Sequence, residues 1–215
     1  MYAQMLTRPD IGYSVSKLSK YLNAPTHAHM KQALRMLTYL YHTKDRSITY
    51  GNINGNYDNK CSIEGWSDSD HAGDIDTRYS HTGWLFMCYW GPISWRSFQQ
   101  GCVALCTAEA EYMAISDAAK EARSLIKLAK EMIDNNTTLI NINGDNKASQ
   151  LWCKQPSHAS KTKQIDVCFH HIRDEINKKR IKVTLVPSKD NISDILTKAL
   201  GKVLFDKHSQ VIFNM

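Results

Sequence analysis

Several features that would assign this 215-residue sequence to a special class of protein are missing from it. No apolar run approaches the length of about 18 residues that a membrane-spanning helix needs. The N-terminal stretch MYAQMLTRPDIG lacks the charged-then-apolar layout of a signal peptide. There is no CxxC pair among the six cysteines and no HExxH or Cys/His zinc spacing. These absences predict a reduced intracellular protein, without a membrane partner and without zinc.

Acidic residues are scarce in one part of the chain. The formal net charge is +6, and residues 154–189 hold nine Lys or Arg against three acids, a difference of +6 that equals the whole excess. A basic segment of this kind is typical of proteins that bind nucleic acid. On charge alone, a solvated helix face explains the segment equally well.

Hydrophobic periodicity and turn residues predict the secondary structure. Two N-terminal helices, the second capped by Thr26, precede an Asn- and Gly-rich segment that reads as a short strand running into a linker. The later pattern is three strands, a long helix, a strand, helices, a strand and a capped helix. The expected ranges are helices over 10–23, 26–43, 107–134, 146–154, 166–179 and 190–200, and strands over 61–68, 82–90, 93–105, 138–145 and 181–187.

This order of elements predicts a mixed α/β sheet. Short turns join the first three strands, which favours an antiparallel meander, whereas the later strands alternate with helices, as parallel crossovers do. We expect domain boundaries near residues 60 and 200, which gives segments 1–60, 61–200 and 201–215.

The stretch CTAEAEYMAIS opens the long helix and holds two glutamates, Glu109 and Glu111. On a helical wheel Glu111 falls at the edge of the apolar arc, whereas Glu109 falls on the polar side, where it reads as a solvated surface acid. A carboxylate that faces the core is costly unless a cation or hydrogen bonds compensate it. Glu111 is therefore the candidate functional acid of the pair.

Three aspartates are candidate companions of Glu111. Asp68 ends the first strand of the sheet, Asp145 ends the fourth, and Asp194 lies at the start of the last helix. Four carboxylates that converge would form an oxygen-rich site suited to Mg²⁺. Two such ions can activate water and stabilise the leaving oxygen in phosphodiester hydrolysis. Asp70 and Asp74 read as surface or turn residues, and the tryptophans at 66, 84, 90 and 95 as core or sheet-face packing.

The spaced motifs resemble a known family. The segment from GWSDSDHAGD to EAEYMAISDAAKEA, followed in order by GDNKASQLW, SKTKQIDVCFHHIRDEI and VPSKDNISDILTKAL, is similar to the RNase H domain of copia-type LTR retrotransposon Pol polyproteins. The upstream TRPDIGYSVSKLSKYLNAPTHAHMKQALRMLTYLYHTKD resembles the C-terminal end of the adjoining reverse transcriptase. The resemblance covers essentially the whole chain.

The resemblance implies an RNase H-like five-stranded mixed sheet flanked by helices and preceded by a small helical segment. It implies an endonuclease that cleaves the RNA of RNA–DNA hybrids with two Mg²⁺ or Mn²⁺ ions. The family's four acids match Asp68, Glu111, Asp145 and Asp194, although the motif also contains Glu109. Basic residues would track phosphates, and the candidates are Lys161, Lys163, His170 and Arg173.

Further implications concern the cellular setting. The partners would be an RNA–DNA hybrid and the upstream reverse transcriptase of the same polyprotein, in a cytoplasmic virus-like particle or the nucleus. Residues 1–60 would be the C-terminal remnant of that reverse transcriptase with a linker, residues 61–200 the RNase H-like domain, and residues 201–215 a tail.

Departures from the family pattern leave an alternative open. Gln164 stands where the family has His, Cys106-Thr107-Ala108 replaces small hydroxyl residues, and Gly144 replaces a bulkier residue. The polymerase palm is absent, which excludes polymerase activity for this chain alone. A catalytically inactive remnant that at most binds nucleic acid is therefore the second hypothesis. An integrase-like nuclease ranks last because the late helix offers no glutamate that pairs with a strand-end acid.

Overall fold

The structure is a computed structural model that describes residues 1–51, 62–132, 139–154 and 163–215. No helix within these ranges is long and apolar enough to cross a membrane. The predicted boundary near residue 60 lies outside the described residues, and the division into three segments stays a prediction.

Five strands form one mixed sheet. They are β1 (Ile63–Asp70), β2 (His81–Cys88), β3 (Gly91–Gln99), β4 (Ile140–Gly144) and β5 (Ile181–Leu185), in the spatial order β3-β2-β1-β4-β5. The first three pair antiparallel, and β1–β4 and β4–β5 pair parallel. This confirms the predicted RNase H-like arrangement of an antiparallel meander followed by parallel crossovers.

Helices surround the sheet and precede it. Their ranges are α1 (Tyr2–Leu6), α2 (Gly12–Ser19), α3 (His27–His42), α4 (Thr107–Met132), α5 (Lys147–Lys154), α6 (Lys163–Asn177) and α7 (Lys202–Phe213). Thr26 caps α3 as predicted, because its hydroxyl accepts the His29 N–H while the His29 ring accepts the Thr26 N–H.

Strand β2 is buried on both faces and divides the core in two. Trp84 and Phe86 point to the side covered by α4, where they pack with Tyr112 and Ile115. The alternate residues Leu85 and Met87 point to the other side, where Ile192, Ile195, Leu196, Ile212 and Phe213 cover them. The C-terminal segment is thus part of the core.

The C-terminal region differs from the prediction. Instead of an α-helix over residues 190–200, two 3₁₀ turns span Ser188–Asp190 and Ile192–Leu196, and residues 202–213 form α7. The segment over 45–60, predicted as a short strand that runs into a linker, forms no strand over residues 45–51, and its remainder lies outside the described residues. The Asn191 side chain explains the break between the two turns, because its oxygen accepts the Ser193 N–H and so begins a new turn at Ile192.

The N-terminal helices pack against the sheet through specific contacts. The Trp95 indole N–H donates to the Gln4 carbonyl at 2.7 Å. Arg8 forms a buried ion pair with Asp10 and also donates to the hydroxyl of Thr43, the residue that follows α3. In contrast, one side of α3 carries apolar residues at helical spacing that are exposed: Met30, Leu34, Leu37 and Tyr41. Trp84 is buried and Trp66 and Trp95 pack on the sheet as predicted, whereas Trp90 is largely exposed.

Candidate metal centre

Strand register brings the first two aspartates together. In the parallel β1–β4 pair, Trp66 lies opposite Asn143, so Asp68 and Asp145, each two residues further on, lie side by side on one face. Asp68 was predicted to end its strand, but β1 continues to Asp70. Asp145 directly follows β4.

A 3₁₀ turn carries the third aspartate to the same place. The Asn191 side chain holds the turn on β1, since its amide donates to the Ser67 carbonyl at 3.0 Å and its oxygen accepts from the Ser193 N–H and hydroxyl. Gly83 lies opposite Asp68 on β2, and a Cβ there would come within 2.6 Å of Leu196 Cβ. The missing side chain at Gly83 lets the turn approach the strand.

The three aspartates converge closely. One carboxylate oxygen from each of Asp68, Asp145 and Asp194 lies within 4.8 Å of the others. Asp68 and Asp194 are each 2% exposed, whereas Asp145 is half-buried. Two unit charges at this separation repel by about 3 kcal/mol at an effective dielectric constant of about 20. Such a cluster requires positive charge or protons.

Glu111 lies beside this trio on α4. It is 3% exposed, and its Oε1 accepts the Ser69 N–H at 3.3 Å, one residue beyond Asp68. Burial, then the charges of Asp68 and Asp145, raise the pKa of Glu111 well above its usual range. The prediction that Glu111 points inward therefore agrees with its position.

The interpretation of Glu109 as a solvated acid is wrong. Glu109 is buried, and its Oε2 accepts the Leu105 N–H at 2.7 Å in the segment that leads into α4. It satisfies a backbone donor just before the helix, as a capping side chain does. A helical wheel cannot show this hydrogen bond, because Leu105 precedes α4 and a wheel holds only the residues of the helix.

Two residues that the sequence analysis overlooked complete the surroundings of the aspartates. The Lys198 ammonium lies 3.0 Å from Asp194 Oδ1 and 3.6 Å from Asp68 Oδ2, and the Thr197 hydroxyl donates to Asp68 Oδ2. Although burial alone would lower the pKa of Lys198, the charges of Asp68 and Asp194 raise it. The spacing itself was the available signal, since Asp194 and Lys198 are four residues apart.

The electrostatics around Asp194 make the stability of the folded protein depend on pH. Burial, followed by the charge of Asp68, raises the pKa of Asp194 from 3.8 to about 7 even though Lys198 opposes the shift. The folded protein therefore binds this proton more tightly than the unfolded chain. Protonated Asp194 therefore contributes to stability below about pH 4, and this contribution is lost as pH rises through about 7.

We expect Asp194→Asn to remove this dependence. In EDTA, its free energy of unfolding relative to wild type should rise between pH 4.5 and pH 8, because the wild type alone bears the cost of ionising Asp194. Urea unfolding at both pH values measures the difference. An equal difference at both would contradict the assignment.

The donor set suits a hard divalent cation. Three carboxylates with a fourth beside them offer only oxygen, which Mg²⁺ and Mn²⁺ prefer. Lys198 is the single cation whose contacts with the trio are seen among the described residues. One ammonium group leaves the cluster with excess negative charge that a divalent ion would neutralise.

The predicted nucleic-acid contacts fall on or before α6. Lys161 lies outside the described residues and Lys163 begins the helix. His170 is exposed and Arg173 is half-buried. Their role stays a prediction.

Asp74, which was predicted to be a surface or turn residue, is a buried turn residue. It accepts the Asp76 and Thr77 N–H groups and pairs with Lys20.

Comparison with known sequences gives strong matches over most of the chain. A Pol polyprotein from transposon TNT 1-94 of Nicotiana tabacum is 33% identical over 99% of this chain, and one from transposon RE2 of Arabidopsis thaliana is 32% identical over 96%. The chain spans only 15% and 14% of these relatives. A secreted RxLR effector protein of Plasmopara viticola is 40% identical over 57% of this chain and 82% of its own length.

Solved structures with related folds include an RNase H1 from Halobacterium salinarum and the N-terminal RNase H domain of a Mycobacterium tuberculosis protein. The first is 18% identical, covers 63% of this chain and 94% of its own, and has a TM-score of 0.45. The second is 14% identical, covers 70% and 98%, and has a TM-score of 0.48. Because both scores are below 0.5, the fold is identified here by its sheet topology. No protein-family model matches the chain.

Proposed function

The chain belongs to the copia-type Pol polyproteins of LTR retrotransposons and contains their RNase H-like domain, and on this premise we propose that it hydrolyses the RNA strand of RNA–DNA hybrids. The reaction would be endonucleolytic and dependent on two Mg²⁺ or Mn²⁺ ions. Its setting would be reverse transcription, with the upstream reverse transcriptase of the same polyprotein as a partner, in a cytoplasmic particle or the nucleus.

One observation carries the proposal. Carboxylates from β1, from the end of β4 and from the 3₁₀ turn converge within 4.8 Å, and no salt bridge within the described residues neutralises more than part of their charge. A fold that buries uncompensated acids loses stability, so their convergence favours a catalytic function. The inactive-remnant hypothesis gains no support from Gly144, since a Cβ there would meet only the Ser67 carbonyl at 3.8 Å.

The residues have distinct roles in this proposal. Asp68, Asp145 and Asp194 would hold the ions, with Glu111 as the fourth ligand. When bound, the ions would lower the pKa of the attacking water and stabilise the leaving oxygen. Thr197 and the Ser69 N–H fix the Asp68 and Glu111 carboxylates, which keeps the oxygens oriented before substrate arrives.

Strand-specific cleavage tests the proposal. A hybrid labelled on either the RNA or the DNA strand is incubated with Mg²⁺, with Mn²⁺ or with EDTA, and Asp145→Asn serves as the control. We expect internal cuts in RNA only, only with metal, and none from the variant. Folded wild-type protein that leaves the RNA intact with both metals would refute the proposal.

Lys198→Met should alter metal affinity. Its ammonium repels a divalent ion at the trio, so we expect Mg²⁺ to bind about fivefold more tightly to the variant at pH 8, which is above the pKa of about 7 of Asp194. The melting temperature in EDTA should fall, because the acids lose their counter-ion. Isothermal titration calorimetry measures the affinity, and Lys207→Met, which breaks the Asp190 pair, controls for loss of a lysine. Weaker Mg²⁺ binding by Lys198→Met would contradict this account.

A further inference from the structure

A cavity of about 510 Å³ lies between the N-terminal helices and the segment that follows Asp194. Helix α2 contributes Tyr13 and Lys17 to its wall, α3 contributes Arg35, and the C-terminal segment contributes Lys198 and Phe205. Lys198 also contacts Asp68 and Asp194. The cavity is therefore adjacent to the candidate metal centre.

The wall of the cavity carries two cations, Lys17 and Arg35, that no acid of the wall pairs with, although the charge of Lys17 also acts on Asp70 at the end of β1. Asp10, the acid in the wall, is already bound by Arg8 at 2.7 Å and accepts the Tyr39 hydroxyl. Neither Lys17 nor Arg35 forms an ion pair within the described part of the chain. Lys20, by contrast, is paired with Asp74. Lys17 and Arg35 are thus available to bind an anion.

Lys17 is directed towards the strands that build the metal centre. Its ammonium lies 5.6 Å from the centre of the Tyr13 ring, and that ring packs edge-on against His81 at 5.4 Å. His81 begins β2 opposite Asp70, two residues beyond Asp68. Lys17 therefore lies close to the strands that carry the metal ligands.

The remaining wall suits the rest of a backbone unit of nucleic acid. Ser14 and Gln32 offer hydrogen bonds, and an apolar floor is formed by Ile195, Leu200 and Phe205. Binding pockets for small organic groups have volumes of about 300–1,000 Å³, are mostly apolar and hold a few placed polar groups. A backbone unit of nucleic acid combines an anionic phosphate with a sugar that has hydroxyl groups and an apolar face.

We propose that this cavity holds one unit of the sugar-phosphate backbone of the bound hybrid, with its phosphate between Lys17 and Arg35, near the phosphate that is cleaved. This inference rests on the proposed function and extends it to the N-terminal helices. It means that residues 1–51 are part of the substrate-binding surface.

Salt-dependent hybrid binding tests the inference. Fluorescence anisotropy in EDTA, where no cleavage occurs, compares wild type with the double variant Lys17→Gln/Arg35→Gln. The matched control, Lys127→Gln/Lys130→Gln, removes the same charge from exposed positions on α4. These begin about 24 Å along the helix from Glu111 at 1.5 Å per residue.

Loss of the two cations that hold this phosphate should weaken hybrid binding about tenfold and reduce the slope of log K against log salt by about 1. The control should change neither, and Lys17→Arg/Arg35→Lys should retain both. Mg²⁺ affinity should stay unchanged in the control pair and in Lys17→Arg/Arg35→Lys, which keep the charges near the cavity. A separate titration with inorganic phosphate shows whether the cavity binds the free anion as well as the hybrid.

The outcomes separate the two proposals. If wild type cleaves the RNA strand but Lys17→Gln/Arg35→Gln binds the hybrid as wild type does, or no worse than the control pair, this inference is wrong and the proposed function stands. Wild type that neither binds nor cleaves the hybrid overturns both.

Discussion

Glu111→Gln is expected to reduce RNA-strand cleavage at least about 10³-fold. When residues act as one catalytic unit, removal of a single member lowers the rate about as much as removal of all of them. The same substitution should raise the melting temperature in EDTA at pH 8. Glutamine can still accept the Ser69 N–H, but it removes a charge that burial and the neighbouring Asp68 and Asp145 disfavour. Steady-state cleavage and thermal unfolding measure the two effects.

Glu109→Gln is the matched control. Its carboxylate bonds Leu105 N–H rather than facing the aspartates, so cleavage should stay within about threefold of wild type. Stability should fall by about 1 kcal/mol or less, because the cap is weakened rather than removed. If Glu109→Gln were the inactive variant and Glu111→Gln the active one, the assignment of the fourth acid would be reversed.

Asp68→Asn should be as severe as Glu111→Gln in cleavage, with a loss of at least about 10³-fold, because Asp68 belongs to the trio and both Thr197 and Lys198 contact it. The variant keeps an oxygen that can accept the Thr197 hydroxyl, so the turn should stay in place. Circular dichroism and the cleavage rate test the two halves of this expectation.

A second measurement on Asp68→Asn separates electrostatics from disruption. The charge of Asp68 helps to raise the pKa of Asp194, so the pKa of Asp194 should move down towards its usual value in the variant. Carboxyl NMR titration in metal-free buffer follows that group. An inactive variant in which the pKa of Asp194 is unchanged would show that the two carboxylates do not interact as the structure indicates.

Much of the fold was predictable because the pattern is locally consistent. The alternating strands and the long helix over 107–132 follow from periodicity, and Thr26 follows from capping preferences. The order of elements then restricted the sheet to an antiparallel meander with parallel crossovers. The convergence of Asp68 and Asp145 follows from that topology.

The parts that were not predictable depend on tertiary contacts. The Asn191 side chain bonds Ser67, 124 positions away in sequence, and this contact helps to replace the predicted α-helix by a 3₁₀ turn. Helix α7 follows the last predicted element, yet Ile212 and Phe213 complete the core beneath Leu85. The burial of Glu109 depends on the path of residues before α4, which helical periodicity does not contain.

The role of Lys198 shows a different limit. Its spacing from Asp194 is visible in the sequence, but an i,i+4 pair on a surface helix is common and contributes little. Only the position of Asp68 beside it, 3.6 Å from the ammonium, gives the lysine a function as counter-ion of the cluster. The chemistry arises from two distant segments that the fold brings together.

The central claim is that Asp68, Asp145 and Asp194 hold the catalytic metal. A crystal structure of the protein soaked in Mn²⁺, with anomalous diffraction to locate the ion, tests it most directly. We predict Mn²⁺ bonded to Asp68 and to at least one of the other two aspartates at about 2.1 Å, with the Lys198 ammonium displaced from the trio. Mn²⁺ bound elsewhere, or a trio still closed by Lys198 at saturating metal, would contradict the account.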